Sequence, residues 1–182
     1  SNAVLGFNYE GEFKRLQFQP GFNINMIGQT TLSYSYLVVS QEQFRDVLFK
    51  GANRSQYNLS TRPVKGVNIS FSGSTGKSIR RSSEPELGKG YNLTTGLSLE
   101  PVSWLKTSFS WSTARLESVA SGDEFYDGHI FRNVTTVQFT RKLFIRGIGE
   151  YNTFDNSFNI YPLVSYKFNA FTMFCAGMTR DY

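Results

Sequence analysis

The chain has 182 residues, of which 16% are aromatic and only 18% charged, with a formal net charge of +5. One cysteine, Cys175, and one histidine, His129, exclude an internal disulfide and a Cys/His metal cluster. No run of 18 apolar residues exists, which excludes a transmembrane helix but not a transmembrane barrel, whose signal is alternation.

The first three residues, SNA, read as a remnant of tag removal, and residues 4–182 as a single β-barrel-type domain cut from a longer protein. Aromatic residues suit a pleated surface, whereas Ser, Thr and Asn compete with helical hydrogen bonding. From residue 16, Leu16, Phe18, Pro20, Phe22, Ile24 and Met26 alternate with Gln17, Gln19, Gly21, Asn23 and Asn25. The same period of two recurs over residues 91–99, 105–111 and 157–168. It predicts about ten strands, near 4–10, 13–26, 30–39, 54–62, 65–74, 89–100, 103–114, 128–141, 143–154, 157–169 and 171–180, the first being the weakest. The stretch 42–51 is the one place where a helical turn is expected, inside a loop. Many of these strands are long. Ordinary strands peak near 5–6 residues, while membrane-spanning ones need about 9–11.

The predicted connections fall into two sets. Short ones lie at 61–65, 99–104, 140–144 and 168–172. Long polar ones are expected at 40–56, 73–90 and 114–129, with 152–157 the short exception on that side. Aromatics collect near the short turns (Trp104, Phe139, Phe144, Phe168, Phe171) and towards the long loops (Tyr57, Tyr91, Trp111, Phe131, Tyr151). Two aromatic belts and unequal loops are the pattern of an outer-membrane barrel. The expected fold class is therefore all-β: an antiparallel up-and-down meander of about ten long strands, a barrel or barrel-like sheet of outer-membrane type.

Motif chemistry is sparse. GSTGKS at 73–78 imitates the end of a phosphate-binding loop, but Phe71 stands where the first glycine belongs and no helix pattern follows. It reads as a polar loop, with no nucleotide expected. Lys77, Arg80 and Arg81 form the one tight basic cluster, and without a basic stripe interleaved with aromatics no nucleic-acid partner is expected. His129 with Asp123, Glu124 and Asp127 could form a catalytic His–carboxylate pair, but no nucleophile in a recognisable setting accompanies it. Cys175 lies in an apolar strand, where a free cysteine behaves as a small hydrophobe. Glu84 with Glu86, and Asp123 with Glu124, could in principle serve glycoside hydrolysis, and Asp123, Glu124 and Asp127 could weakly hold Ca²⁺, although the spacing is not that of an EF-hand. No catalytic residue, cofactor or metal is assigned.

The last third carries a resemblance. The hairpin at 141–143, the block IYPLVSYKFNAFT at 160–172 and the ending AGMTRDY at 176–182 resemble the C-terminal region of a family of Gram-negative outer-membrane proteins. In that family an N-terminal family 9 carbohydrate-binding module precedes a large uncharacterised β-barrel domain. The resemblance covers residues 131–182 and reaches earlier strands in style only. Members of the family usually continue into one more strand ending in an aromatic residue, which the resemblance implies this chain lacks. It further implies a cell outer-membrane location, lipid or detergent as a partner, and a glycan bound through the parent protein. It carries over no catalytic residue.

The reading is thus a non-catalytic barrel segment with a structural or transport role, capable of edge-to-edge self-association. Two alternatives stay open. One is a soluble β-rich binding module using long polar loops and exposed aromatics, with Tyr57, Tyr91, Trp111 and Tyr126 as ligand contacts. The other is a glycan-acting hydrolase.

Overall fold

A computed structural model describes residues 2–7, 13–44, 47–169, 171–178 and 180–181. Its elements in chain order are β1 (Asn2–Phe7), β2 (Phe13–Gln19), β3 (Gly21–Met26), β4 (Thr30–Phe44), β5 (Val47–Lys50), β6 (Arg54–Thr61) and β7 (Val67–Arg80). There follow β8 (Glu86–Val102), β9 (Leu105–Ser118), β10 (Glu124–Gln138), β11 (Leu143–Asn152), β12 (Ser157–Lys167), β13 (Met173–Gly177) and β14 (Arg180–Asp181). Every pairing is antiparallel, and no helix occurs among the described residues.

The fourteen segments form eleven successive runs. β2 and β3 both pair with one side of β4, β5 and β6 with its other side, and β13 and β14 with β12. The break between β2 and β3 falls at Pro20, which has no N–H to give the ladder. The break between β5 and β6 is filled by Asn53, whose side-chain oxygen accepts the Val39 N–H (2.9 Å) and whose carbonyl accepts the Lys77 N–H (2.7 Å). The meander is the expected one. The sheet is open: β1 pairs only with β2, and β13 only with β12, among the described residues.

Three expectations are corrected. The stretch 42–51 is not a helical turn: Gln41–Phe44 and Val47–Lys50 face each other as β4 and β5. Phe49 is buried between exposed Leu48 and Lys50. Arg45 and Asp46 lie outside the described residues. The long loops at 73–90 and 114–129 are mostly strand, with β7 running on to Arg80 and β8 starting at Glu86. Their connections shrink to 81–85 and 119–123, no longer than the turns at the other end. Loop asymmetry is therefore lost, and strand length takes its place: β8 has 17 residues. Finally, GSTGKS is not a loop. Its residues pair with β8 throughout, and up to Gly76 with β6 as well, and the Ser74 and Lys77 amides are taken by the Asn92 side chain and the Asn53 carbonyl, so the segment is extended in the sheet rather than wrapped as a phosphate cradle.

The extended ends carry the small true core. Leu37, Val39 and Ala52 are buried together, with Ile79 and Leu87 packed against them. Gly76 makes the close approach here possible. Its φ is +140°, and a Cβ would lie 2.4 Å from the Asn53 carbonyl oxygen.

Candidate functional site: an uncovered apolar band

Side chains alternate across a strand, so register alone assigns faces. One row runs Ile24–Leu32–Leu59–Phe71–Thr95–Trp111–Phe131–Tyr151–Phe158, each residue directly opposite the next on nine successive strands. Eight of its nine members are apolar or aromatic. The row one residue away, on the other face, runs Asn23–Ser33–Asn58–Ser72–Thr94–Ser112–Ile130–Asn152–Ser157. Eight of its members are hydroxyl or carboxamide residues. A register slip of one would exchange the two faces, so this contrast also fixes the pairing.

Among the described residues no second layer covers the apolar face. Phe109, Trp111, Phe131 and Phe158 each keep more than two fifths of their surface exposed. The total accessible surface is 12274 Å², against about 8,900 Å² for a compact chain of this size. The band is nevertheless ordered by ring contacts. Tyr57 stacks on Phe71 (5.7 Å, 12°), and Trp111 stacks on Phe131 (6.2 Å) and His129 (6.0 Å). Tyr57 reaches Phe71 over Gly73, where a Cβ would come within 3.0 Å of its ring. A depression of about 440 Å³ lies along the row, bounded by Trp111, Phe131, Tyr151 and Phe158.

Some polar groups in the band satisfy one another, while the Thr113 hydroxyl is buried without a partner. Thr107 and Thr135 hydroxyls lie 2.8 Å apart, and Asn133 donates to Thr107 (3.1 Å) while accepting from Thr135 (3.1 Å). The opposite face is cross-linked by hydroxyls and amides, as in Ser98–Ser108 (2.8 Å) and Gln19–Gln56 (2.9 Å). At the turns beyond the band, Trp104, Phe139, Phe168 and Phe171 are all exposed. Phe144, expected in that belt, has the register of the polar face instead, opposite Ser165.

The four aromatic ligand candidates do not converge. Tyr57, Tyr91 and Trp111 share the apolar face but lie on β6, β8 and β9, within strands rather than on loops. Tyr126 falls on the opposite face, across from Leu116, and meets Phe154 edge-on at 6.1 Å.

The acidic candidates belong to Arg115. Its guanidinium approaches Glu124 at 3.3 Å, Glu117 at 3.6 Å and Asp127 at 3.8 Å. His129 hydrogen-bonds through its backbone to Thr153, while its Nδ1 is buried without a partner. The conceivable His–carboxylate pair is thus not assembled. Glu86 accepts a short hydrogen bond from Ser118, and Glu84 sits in the turn after β7, so those two carboxylates do not face a shared cleft. Among the described residues no group of three or more His, Cys, Asp and Glu could hold a metal ion.

The basic cluster disperses. Arg81 pairs with Glu42 (2.5 Å), Arg80 lies over the Phe125 ring (4.5 Å), and Lys77 stays in the ladder. Cys175 is exposed, 3.4 Å from the buried Ser165 hydroxyl, rather than packed as a hydrophobe.

No protein-family model, curated protein or solved structure matches the chain.

Proposed function

We propose that this chain is a non-catalytic, membrane-embedded segment of an outer-membrane β-barrel, with a structural or transport role. One observation carries the reading: an uncovered apolar face nine strands wide, backed by a face of hydroxyls and amides. In water such a face is costly, since monomers rarely leave apolar patches beyond about 300–600 Å² uncovered. Against lipid it is the stable arrangement, and the other face then lines a wet interior.

The dimensions agree. On β8 the apolar face extends from Tyr91 to Leu99. Eight residue steps span about 27 Å along the strand, or about 21 Å along a membrane normal at a tilt near 40°. Outer-membrane barrels carry an apolar band about 25 Å tall between aromatic girdles. The resemblance of residues 131–182 to barrel domains linked to a family 9 carbohydrate-binding module supports the same location and a glycan-binding parent protein.

The test is light scattering and circular dichroism with and without mild detergent. A β-rich monodisperse species is expected only with detergent. A folded monodisperse species in plain buffer would mean that the apolar faces pack on protein, and a soluble binding module would replace this reading.

A further inference from the structure

The two ends of the sheet differ in charge. Around the turns that follow β6, β8, β10 and β12 lie seven cations, Arg62, Lys65, Lys106, Arg141, Lys142, Arg146 and Lys167, and one acid, Glu100. The rest of the chain holds twelve cations and thirteen acids, so the net positive charge resides at this end. Among the described residues none of the seven makes an ion pair, and neither does Glu100. The middle of the polar face is different. There Arg132 on β10 stands across from Glu150 on β11 and pairs with it at 3.5 Å. Four residues towards the turns, the same two strands present Thr136 and Arg146, and Lys106 on β9 is the other neighbour of Thr136. Lys106 and Arg146 thus flank one threonine in one row, with no carboxylate between them. Lys106 also lines a depression of about 640 Å³ with Arg62, Lys65, Asn68, Ser98 and Glu100. Asn68, Ser98 and Lys106 all have the register of the polar face, so the recess opens on that side and not on the apolar band. Three cations against one acid leave it positive.

We propose that this recess binds small soluble polyanions, with Arg62, Lys65 and Lys106 as the donors and Arg146 extending the field along the row. A recess lined mainly by one sign of charge concentrates counter-ions, and rings of Lys and Arg give pores their preference for anions. The inference rests on the reading of the polar face as a wet interior and names the solute class of that interior.

The test uses the chain in neutral-detergent micelles with pyranine, a soluble polysulfonated fluorophore, and reads binding by fluorescence anisotropy. The salt is held at about 0.1 M, where exposed charges more than about 10 Å apart are largely screened. Binding is expected, with competition by citrate and none by glycerol. Lys65→Gln/Lys106→Gln should weaken it about tenfold, and Glu100→Gln should tighten it. Lys77→Gln/Lys89→Gln removes the same charge from the other end of the sheet and should leave binding within about twofold. Equal weakening by the two double variants would reduce the effect to overall charge and overturn the site. Displacement of pyranine by phosphatidylglycerol in preference to citrate would move the anion to the membrane surface and overturn the interior placement. Circular dichroism on the same micelles separates the two readings: an unfolded chain overturns both, whereas a folded chain that leaves pyranine free overturns this inference alone.

Discussion

Phe71 and Ser72 are neighbours in sequence and lie on opposite faces, which makes them a direct test of what each face meets. Phe71 sits in the apolar row between Leu59 and Thr95, and Thr95 is the midpoint of the band on β8. Arginine at the midplane of a lipid-facing surface costs about 2–4 kcal/mol. Losing the stack on Tyr57 adds about 0.5–1.5 kcal/mol. Phe71→Arg should therefore cost about 2.5–5.5 kcal/mol. Phe71→Leu keeps the apolar surface and should lose the stacking share alone. Ser72 stands between Asn58 and Thr94, with no charge opposite it on either side, so Ser72→Arg should change stability by less than about 0.5 kcal/mol. Urea titration of folding into phospholipid vesicles, followed by circular dichroism, measures all three. If Phe71→Arg costs no more than Phe71→Leu, the face does not meet hydrocarbon and the membrane reading is wrong.

Two shorter predictions test the depth of the band and its strained upper end. In single-tryptophan variants, Trp111, within the band, should be quenched by lipids brominated near mid-chain more strongly than Trp104, which lies in a turn; equal quenching would contradict the assigned depth. Gly76→Ala forces a Cβ against the Asn53 carbonyl at a φ suited to glycine, and should destabilise by about 1–3 kcal/mol, read as a lower midpoint in the same urea titration.

Strand positions were legible because alternation survives wherever both faces are selected. Residues 91–99 and 157–167 show it with only Thr95, Tyr161 and Leu163 out of pattern, and there the strands lie where the pattern puts them. The upper halves of β7 to β10 were not legible. Gly73, Gly76, Gly88 and Gly90 are loop-like residues, yet they sit in strands because both neighbouring strands supply ladder partners and Leu116 packs over Gly88. Tyr126 lies five unshifted ladder steps from Phe131, an odd number, and so on the other face; the register shift falls beyond it, towards Glu124. The Arg115 cluster was within reach of the sequence. Glu117 is two residues away on the same face, and Asp127 is its hairpin partner once β9 and β10 are paired. Reading the carboxylates first, as partners for His129, hid the cation among them.

The open edges make the strongest demand on the membrane reading. β13 has five residues, so about five backbone groups point away from β12. Left unpaired in hydrocarbon, at several kcal/mol each, they would cost on the order of 10 kcal/mol or more, comparable with the whole stability of a domain. The edges must therefore be covered. The described residues form eleven runs, an odd number, so β1 and β13 point the same way, and pairing them directly would create a parallel seam. Bacterial single-chain barrels have even strand counts. One further strand between β13 and β1, antiparallel to both, satisfies both conditions. The exposed Cys175 on β13 allows a test. Paired strands lie about 4.8 Å apart, so an intervening strand would hold the edges about 9.6 Å apart. A disulfide needs Cα atoms closer than about 7 Å. Cysteine placed in turn at Ala3, Val4, Leu5 and Gly6, with oxidation in detergent, should give no internal disulfide with Cys175. A high yield at any one of these positions would show that the two edges meet directly and that no further strand is required.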